Sequence, residues 1–534
     1  MRPYLLMLSF LLASLLQLPA QDNPKREFRG VWVASVFNID YPSRPTTDRI
    51  ALREEWRQLL DKYREMGMNA VIVQVRAAGD ALYPSRLAPW SRFLTGQQGR
   101  APESEFDPLE FMIEETHCRG MEFHAWLNPY RATVNLDTSG LSPQHAFHQH
   151  RSWMLRYGPR FYFNPALPEV REHLVKVVEE VVANYDVDAI HFDDYFYPYQ
   201  LQGEVFPDSL DFQRMGAAFE FIENWRRSNV DSLISQMADM IRQTRPGVAL
   251  GISPFGVWRN KVDDPLGSET RAGSTSYDHL YADVLKWLRE GWIDYVMPQL
   301  YWNIGYPAAD FERLLDWWGR HSYGKNLYIG HAAYKVGNHP ELAWSEPDEI
   351  PRQIQLIRRH PRCGGSAFFS SQSLRKNFLG LKDSLERLFR HPALIPVAED
   401  AVGSAPSHPL TGRTGHRDEG VLLRWRIKPP KEQAAPYYYV VYRFEGMNAG
   451  DIRHPDNILA VTPFHRDQGR YFKWIDPTAE RGKIYTYAVS AVDRSHRESA
   501  ATEFRSLLVR ESGGINRLSE REKEKLRAAA EEED

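Results

Sequence analysis

The chain has 534 residues, of which 43% are hydrophobic and 25% are charged, and its formal net charge is −4. This balance predicts a folded globular protein with a large core, divided into two or more domains unless one of them is a barrel. Lys and Arg are scattered among acidic residues, so we do not expect a surface that binds a nucleic-acid backbone.

The first twenty residues have the pattern of a secretory signal peptide. Arg2 precedes an apolar stretch from residue 4 to about residue 18, and Ala20 ends the leader. We predict cleavage after Ala20 and export to the periplasm or cell envelope. An uncleaved membrane anchor is the alternative, but the apolar stretch is short for a span. Gln21 follows Ala20, so no lipidated cysteine is expected. No other long apolar segment follows in the sequence, so no further membrane span is expected.

From Arg29 to about Phe369, short β-rich runs alternate with longer segments of helical periodicity. The β-rich runs are GVWVASV, AVIVQVR, MEFHAWLN, DAIHFDD, VALGISP, YVMPQLYW, LYIGHAA and GSAFFSS. Eight repeats of strand and helix are typical of an α/β fold of the TIM-barrel type, and we predict a (β/α)8 barrel over residues 26–390. A doubly wound sheet is the alternative, but no Gly-x-Gly-x-x-Gly follows an early strand.

The character of the sequence changes after the predicted barrel. A stretch rich in Pro, Gly and Ser over residues 391–418 predicts a linker. Runs such as VLLRW, YYYVVYRF and IYTYAVSAVD then predict a small all-β sandwich over residues 419–511. It resembles a fibronectin type III domain, with Trp425 on an early strand and Tyr485 at the tyrosine-corner position. Residues 512–534 are highly charged and are predicted to form a solvated helix or frayed tail.

Polar residues occupy the strand face that alternation turns toward the barrel interior. In DAIHFDD, Ile190 and Phe192 are predicted to face the helices. His191 and Asp193 therefore point inward. The same argument predicts that a further set of residues points inward, namely Gln74, Arg76, Glu122, His124, Trp126, Asn128, Gly251, Ser253, Tyr295, Met297, Gln299 and Tyr301.

These inward polar groups converge on the carboxyl end of the barrel, where this fold usually carries its active site. Each buried polar group left without a partner would cost about 1–3 kcal/mol, which favours a functional role for the cluster. A self-satisfied network, or an Arg76 that merely pairs with Asp193, is the alternative.

Aromatic residues lie at or just past the predicted strand ends. They are Trp32, Trp126, Tyr130, Tyr195, Phe196, Tyr197, Trp258, Tyr301 and Trp302. Flat rings with hydrogen-bonding groups suit the apolar faces of sugars, so this distribution favours a carbohydrate groove. Trp317 and Trp318 lie in a segment of helical spacing and are predicted to belong to the core instead.

Hydrolysis of a glycosidic bond needs two carboxyl groups, one that donates a proton and one that attacks or activates water. Asp193 is the first candidate. Neighbouring strand residues face opposite ways, so Asp194 is either a second acid on the loop or an orienting group. Asp80, after the second strand, is the other candidate partner, with a turn-forming role after Gly79 as the alternative.

Other chemistries lack their residues. The first strand has no His-x-His pair, and His124 and His191 alone would hold a metal only weakly, so neither a metal nor another cofactor is expected. No Gly-x-Ser-x-Gly or Walker loop occurs, and Ser253 is interpreted as a hydrogen-bonding wall. Cys118 and Cys363 are expected to be separate thiols, with a single bridge as the alternative.

Five motifs in order resemble the family 10 glycosyl-hydrolase-like proteins, which are exported bacterial proteins. They are REFRGVWVASVFNIDYPS, MNAVIVQVRAAGDALYPS, FDPLEFMIEETHCRGMEFHAWLNPYRA, AIHFDDYFYP and GWIDYVMPQLYW. The resemblance covers about residues 26–390 and implies a (β/α)8 barrel that acts on glycans. Some members are similar to enzymes that cut peptidoglycan strands lacking stem peptides. The family's motifs match at Asp193, Asp194, Gln74, Arg76, Asp80, Asn128, Tyr130 and Arg131.

We therefore predict an exported glycoside hydrolase with Asp193 as the principal carboxylate and Asp194 or Asp80 as its partner. A glycan-binding protein without turnover is the alternative, although such a protein has no need for paired carboxylates. The polysaccharide substrate is expected to contact Gln74, Arg76, His124, Trp126, Asn128, Tyr130, Arg131, His191, Tyr195, Ser253, Trp258, Gln299, Tyr301 and Trp302.

Overall fold

The computed structural model describes residues 23–103, 105–399, 401–427, 435–463 and 471–531. The predicted signal peptide lies outside these ranges, so its cleavage stays a prediction. Among the described residues, no helix combines the length and the apolar character needed to cross a membrane.

The first part of the chain alternates strands and helices. Its strands are β1 (Phe28–Val33), β2 (Ala70–Arg76), β3 (Glu122–Leu127), β4 (Met154–Tyr157), β5 (Arg160–Phe163), β6 (Ala189–Phe192), β7 (Ala249–Ile252), β8 (Tyr295–Val296), β9 (Asn326–His331) and β10 (Cys363–Phe368). Its helices are α1 (Arg49–Glu65), α2 (Arg92–Thr95), α3 (Pro108–His117), α4 (Ala146–Gln149), α5 (Pro168–Asn184), α6 (Ser209–Met215), α7 (Ile222–Thr244), α8 (Ser276–His279), α9 (Val284–Arg289), α10 (Phe311–Arg320), α11 (Glu349–Arg359), α12 (Ser371–Lys376) and α13 (Leu381–Leu388).

Eight of these strands form a closed parallel barrel. In chain order β1, β2, β3, β6, β7, β8, β9 and β10 each pair with the next, and β10 pairs with β1 to close the ring. The strands β4 and β5 form a separate antiparallel hairpin after β3. The predicted (β/α)8 barrel is confirmed.

Helix α1 shows how the sequence produces these elements. The Asp48 carboxylate caps it by accepting hydrogen bonds from the backbone N–H groups of Ile50 and Ala51. Its apolar residues recur at helical spacing, so one stripe is buried against the barrel. The buried residues are Leu52, Trp56, Leu59, Leu60 and Tyr63. The chain turns away at Gly67, which has a φ of +73° that only glycine adopts readily.

Alternation along the strands separates two cores. In β2, Val71 and Val73 pack in the layer between strands and helices, whereas Ala70 and Ile72 lie in the barrel interior. Trp126, Ala189, Tyr295 and Met297 share this interior, and Trp317 and Trp318 belong to the outer layer. The prediction of which strand faces point inward is therefore right for most of the barrel.

The end of β2 departs from alternation. The pairing with β3 shifts register after Gln74, which lies opposite Trp126, and Arg76 then lies opposite Leu127. Leu127 packs in the outer layer, and paired residues of parallel strands share a face. The prediction that Arg76 points into the barrel is therefore wrong, because a β-bulge at Val75 turns it outward.

The last part of the chain is antiparallel. Its elements are β11 (Leu410–Thr411), β12 (Gly415–Arg417), β13 (Gly420–Arg426), β14 (Tyr438–Glu445), β15 (Ile458–Val461), β16 (Tyr471–Asp476), β17 (Ile484–Val492), β18 (Thr502–Glu503), β19 (Leu507–Val509), β20 (Ile515–Arg517) and α14 (Glu520–Glu531). One sheet is built on β13 and the other on β14 and β17, and side chains of both sheets share one core. We call this part the β domain.

The small all-β domain agrees with the sequence prediction, but β11 and β12 lie in the predicted linker and β20 in the predicted tail, outside the predicted bounds of 419–511. Its fibronectin type III identity stays a prediction. Trp425 packs in its core, and the Tyr485 hydroxyl accepts a hydrogen bond from the Glu480 backbone N–H at 3.3 Å. Cys118 and Cys363, in the first part of the chain, are free thiols.

The β domain packs against the amino end of the barrel. Arg494 donates hydrogen bonds to the Asp186 carboxylate at 2.8 Å and to the Val187 carbonyl at 2.6 Å, just before β6. The Tyr437 hydroxyl donates to Asp188 at 2.8 Å. This face lies opposite the carboxyl ends of the strands, so the β domain leaves the barrel mouth open.

We expect Arg494→Ala to weaken this interface, because it removes a charge-assisted hydrogen bond to the buried Asp186 carboxylate and a positive charge 3.6 Å from Asp188. The loss should be about 2 kcal/mol, seen as a fall of a few degrees in the melting temperature by calorimetry. Arg453→Ala, which removes an exposed ion pair of the β domain with Asp451, is the matched control and should change little. Equal melting temperatures for the Arg494 variant and wild type would contradict the expectation.

Candidate active site

A cavity of about 510 Å³ opens at the carboxyl ends of the barrel strands. Nine of the predicted site residues line it, namely Gln74, Trp126, Arg131, Asp193, Asp194, Tyr195, Ser253, Gln299 and Tyr301. It is also lined by Trp32, which the sequence analysis named among the aromatic residues of the mouth, and by residues that the prediction omitted, among them Phe37, Arg160, Tyr199, Tyr334 and Phe369.

Asp193 is surrounded by hydrogen-bond donors. The Asn128 amide donates to its Oδ2 at 2.5 Å and the Trp126 indole donates to the same oxygen at 3.1 Å. The backbone N–H of Tyr195 donates to Oδ1 at 3.3 Å. Burial raises the pKa of Asp193, while the positive charge of Arg131 and these donors act in the opposite direction.

Asp194 also lines the cavity. Strand β6 ends at Phe192, so strict strand alternation no longer separates Asp193 from Asp194. Burial and the neighbouring Asp193 carboxylate raise the pKa of Asp194 to about 7, although hydrogen bonds from Tyr199 and Gln299 oppose the shift. Two adjacent carboxylates repel each other, and the positive charge of Arg131 favours ionisation of Asp193, so the arrangement favours the proton of the pair on Asp194.

A hydrogen bond from Gln74 determines the orientation of the Asn128 side chain. The Gln74 side-chain oxygen accepts hydrogen bonds from the backbone N–H groups of Ser35 and Val36, at 3.1 and 3.0 Å. The Gln74 amide must then present its N–H, which it donates to the Asn128 side-chain oxygen at 2.7 Å. Asn128 is left with its own N–H to donate to Asp193. Gln74 therefore acts on Asp193 through Asn128.

Exposed aromatic rings form the rim of the cavity. Phe37 is 62% exposed although its ring lies edge-on to Phe93, and its φ of +54° places it in the left-handed region. Such a backbone costs about 1–3 kcal/mol in a residue other than glycine and is often found at functional sites. Tyr195 and Tyr334 also expose their rings here. The rim thus offers flat apolar faces of the kind that sugars stack on.

The remaining predicted site residues lie elsewhere. Tyr130 and Trp258 are buried in the outer layer of the barrel, and Trp302 packs edge-on against Phe255. These three residues come after the ends of their strands in the sequence, at positions where the backbone has turned away from the cavity, so their rings do not line it. His124 and His191 lie in the barrel interior beneath the cavity.

Asp80 and Arg76 also lie outside the cavity. Asp80 is buried next to the Ser91 hydroxyl, and burial raises its pKa. Arg76 is buried and donates to the Asp80 carbonyl at 3.3 Å. The structure therefore places Asp194, and not Asp80, beside Asp193. Within the described ranges, no three His, Cys, Asp or Glu side chains are grouped as metal ligands.

Sequence reasoning could have found Phe37, because it is an aromatic residue shortly after the end of the first strand, as Tyr195 is after β6. Nothing in the sequence pointed to Arg160. It lies on β5, and only the folding of the β4–β5 hairpin brings it to the cavity.

We expect Asp194→Asn to stabilise the protein at pH 8. The folded-state pKa of about 7 lies above the unfolded value of about 3.9, so folding becomes less favourable as the pH rises through this window. The amide carries no charge and escapes this penalty. The variant's melting temperature should exceed that of wild type at pH 8, and the difference should shrink at pH 5. Asp239→Asn, on the exposed side of α7, is the control and should show no such pH dependence. A difference in melting temperature between Asp194→Asn and wild type that is equal at pH 5 and pH 8 would contradict the expectation.

The sequence profile of the glycosyl hydrolase-like 10 family matches residues 27–346. Glycosyl hydrolase YngK from Bacillus subtilis is 45% identical over 490 residues, which cover 91% of this chain and 94% of YngK. Glycosyl hydrolase DigH from Escherichia coli is 38% identical over 381 residues, covering 66% of this chain and 85% of DigH. Among solved structures, the PgaB (BpsB) glycoside hydrolase domain from Bordetella bronchiseptica is 14% identical with a TM-score of 0.45, covering 68% of this chain and 99% of that domain. The chain belongs to the glycosyl hydrolase-like 10 family.

Proposed function

We propose that this protein is an exported glycoside hydrolase that cleaves glycan strands at the cavity, with Asp194 as proton donor and Asp193 as its ionised partner. The observation that carries the proposal is the pair itself at the cavity: burial raises the pKa of both carboxyl groups, that of Asp194 to about 7, while the charge of Arg131 acts to lower that of Asp193. The family and the names of the relatives support a glycosidase-type function. The leader pattern of residues 1–20 supports export.

The proton step follows from this arrangement. Asp194 gives its proton to the glycosidic oxygen, the bond between that oxygen and the anomeric carbon breaks, and its electron pair stays on the leaving oxygen. Positive charge develops on the sugar ring, and the Asp193 carboxylate stabilises it. Asn128 and Trp126 keep Asp193 in place.

The adjacency of the two acids favours one variant of this chemistry. Among the described residues that line the cavity, Asp193 and Asp194 are the carboxylates. Because they are consecutive, they approach the sugar from the same strand end, whereas direct displacement uses carboxyl groups on both sides of the bond, about 5–9.5 Å apart. In substrate-assisted hydrolysis the carbonyl oxygen of the 2-acetamido group bonds to the anomeric carbon as the leaving oxygen departs, and one carboxylate orients that group. Water then opens the cyclic intermediate and returns a proton to the general acid. We assign that role to Asp193, so the substrate is a glycan of 2-acetamido sugars.

Two arginines refine the substrate class. Arg131 and Arg160 line the cavity, and the Arg131 guanidinium lies 4.9 Å from the Tyr195 ring centre. A guanidinium in the lining of a glycan site supplies positive charge and N–H donors suited to a carboxylate. Peptidoglycan strands without stem peptides carry both 2-acetamido groups and free carboxylates, and we propose them as the substrate.

The catalytic assignment is tested by three single substitutions. Asp194→Asn and Asp193→Asn should each lower the release of new reducing ends from denuded peptidoglycan strands by about 10²–10⁴-fold, because each removes one half of the acid pair. Both variants should still bind the strands. Asp80→Asn is the matched control and should keep most of the turnover, since Asp80 lies outside the cavity.

Unchanged turnover in the Asp194 variant would contradict the assignment. Tight binding by the wild-type protein with no new reducing ends after a long incubation would favour the alternative, a glycan-binding protein without turnover.

The substrate class is tested with Arg160→Ala and a panel of three glycans. For denuded peptidoglycan strands the variant should raise KM about 10-fold or more, as expected for loss of a charge-assisted hydrogen bond. For neutral chitooligosaccharides it should change KM little. Strands whose amino groups have been deacetylated should not be cleaved by either protein, because they lack the attacking group. Arg156→Ala, on the exposed side of the same hairpin, is the control. An equal KM increase on acidic and neutral glycans would contradict a carboxylate subsite.

A further inference from the structure

A chain of buried side chains runs through the barrel from the cavity toward its amino end. The Ser253 hydroxyl lies 2.9 Å from His191 Nε2, and His191 Nδ1 lies 2.8 Å from the Tyr295 hydroxyl. The same hydroxyl lies 2.9 Å from His124 Nδ1, and His124 Nε2 lies 3.0 Å from Glu122. None of these five residues is more than 5% exposed. We call this chain the interior relay.

The direction of the hydrogen bonds is determined at the cavity end. The Trp32 indole N–H, which can only donate, points at His191 Nε2 at 3.4 Å. Nε2 must therefore be an acceptor, and the proton of His191 sits on Nδ1. Burial lowers the pKa of His191 well below its usual value, which keeps the imidazole neutral. Ser253 must then donate its hydroxyl hydrogen to Nε2, because an unprotonated Nε2 lies 2.9 Å from Oγ only with that hydrogen between them; the longer Trp32 contact shares the same lone pair.

The rest of the relay follows in one direction. His191 Nδ1–H donates to the Tyr295 oxygen, Tyr295 donates its hydrogen to His124 Nδ1, and His124 Nε2–H donates to Glu122. Each N–H or O–H group of the interior relay then donates one hydrogen bond. Glu122 also contacts His496 of the β domain at 2.8 Å, and although burial opposes it, the two imidazoles lower the pKa of Glu122. An ionised carboxylate therefore terminates the relay.

The relay changes what Ser253 offers to a ligand. A serine hydroxyl normally donates or accepts as its surroundings require. Here the hydrogen is committed to His191, so only the lone pairs of Oγ remain for the cavity. Ser253 is also close to the acid pair, because Gln299 hydrogen-bonds both its carbonyl, at 2.9 Å, and Asp194.

We propose that Ser253 is a specificity-determining residue that accepts a hydrogen bond from a hydroxyl or amide N–H of the glycan, and that His191 and Tyr295 are positioning residues that make it an acceptor. The proposal rests on the proposed function, since the donor belongs to a sugar held beside Asp193 and Asp194. Without the Tyr295 hydroxyl, His191 loses the partner that keeps its proton on Nδ1, and Ser253 becomes free to turn its hydrogen toward the cavity.

The test is a double-mutant cycle on kcat/KM for denuded peptidoglycan strands. Ser253→Ala should lower kcat/KM about 10-fold, and Ser253→Thr, which keeps the hydroxyl, should restore most of it. Tyr295→Phe keeps the ring and should lower kcat/KM about 5-fold. Because Tyr295 acts through Ser253, the variant that combines Ser253→Ala with Tyr295→Phe should lose no more than Ser253→Ala does. Tyr328→Phe, an equally buried tyrosine of the barrel interior outside the relay, is the matched control.

Additive losses in the double variant would overturn the proposal, because they are the result of a purely structural role for Tyr295. A Ser253→Ala variant within twofold of wild type would overturn it as well. If the wild-type protein releases no reducing ends, the proposed function fails by itself. The same cycle is then measured as the affinity for the strands by calorimetry, where non-additive losses support the relay and additive losses reject it.

Discussion

The site depends on the repulsion between two buried carboxyl groups on consecutive residues. Asp193 and Asp194 cannot both be charged there without a large cost, so the surrounding side chains decide which of them keeps the proton. Three donors and a nearby guanidinium favour charge on Asp193, and the pKa of Asp194 rises to about 7. The other residues of the barrel mouth maintain this difference between Asp193 and Asp194 in the tendency to hold a proton.

The barrel supplies that structure through its interior face. Gln74, anchored on two backbone N–H groups, orients Asn128, and Asn128 holds Asp193. On the other side, Trp32 and Ser253 both meet His191 beneath the cavity. These contacts come from neighbouring strands of one closed sheet, so the site is built on rigid elements. The rings of the rim and Arg160 come from loops and a hairpin, where variation affects the fold less.

The interior relay also links the two parts of the molecule. Its last carboxylate, Glu122, is shared by His124 of the barrel and His496 of the β domain. Arg494 and Tyr437 bind the loop that leads into β6, the strand that ends just before the acid pair. The β domain lies at the opposite face of the barrel from the cavity. It nevertheless contacts the last residue of the interior relay and the loop before β6, and both the relay and β6 extend to the cavity.

Much of this was determined by the sequence alone. Eight β-rich runs alternating with helical segments define the barrel, and the position of Asp193, Trp126 and Ser253 on inward faces follows from alternation, which depends only on backbone geometry. The tertiary structure decided the rest. The bulge before Arg76 depends on pairing with a neighbouring strand, and the position of Asp194 in the cavity lining depends on where β6 ends. The separation of Asp80 from Asp193, and the arrival of Arg160, depend on how loops fold over the barrel. Such contacts between distant segments arise from packing, which no local pattern of residues encodes.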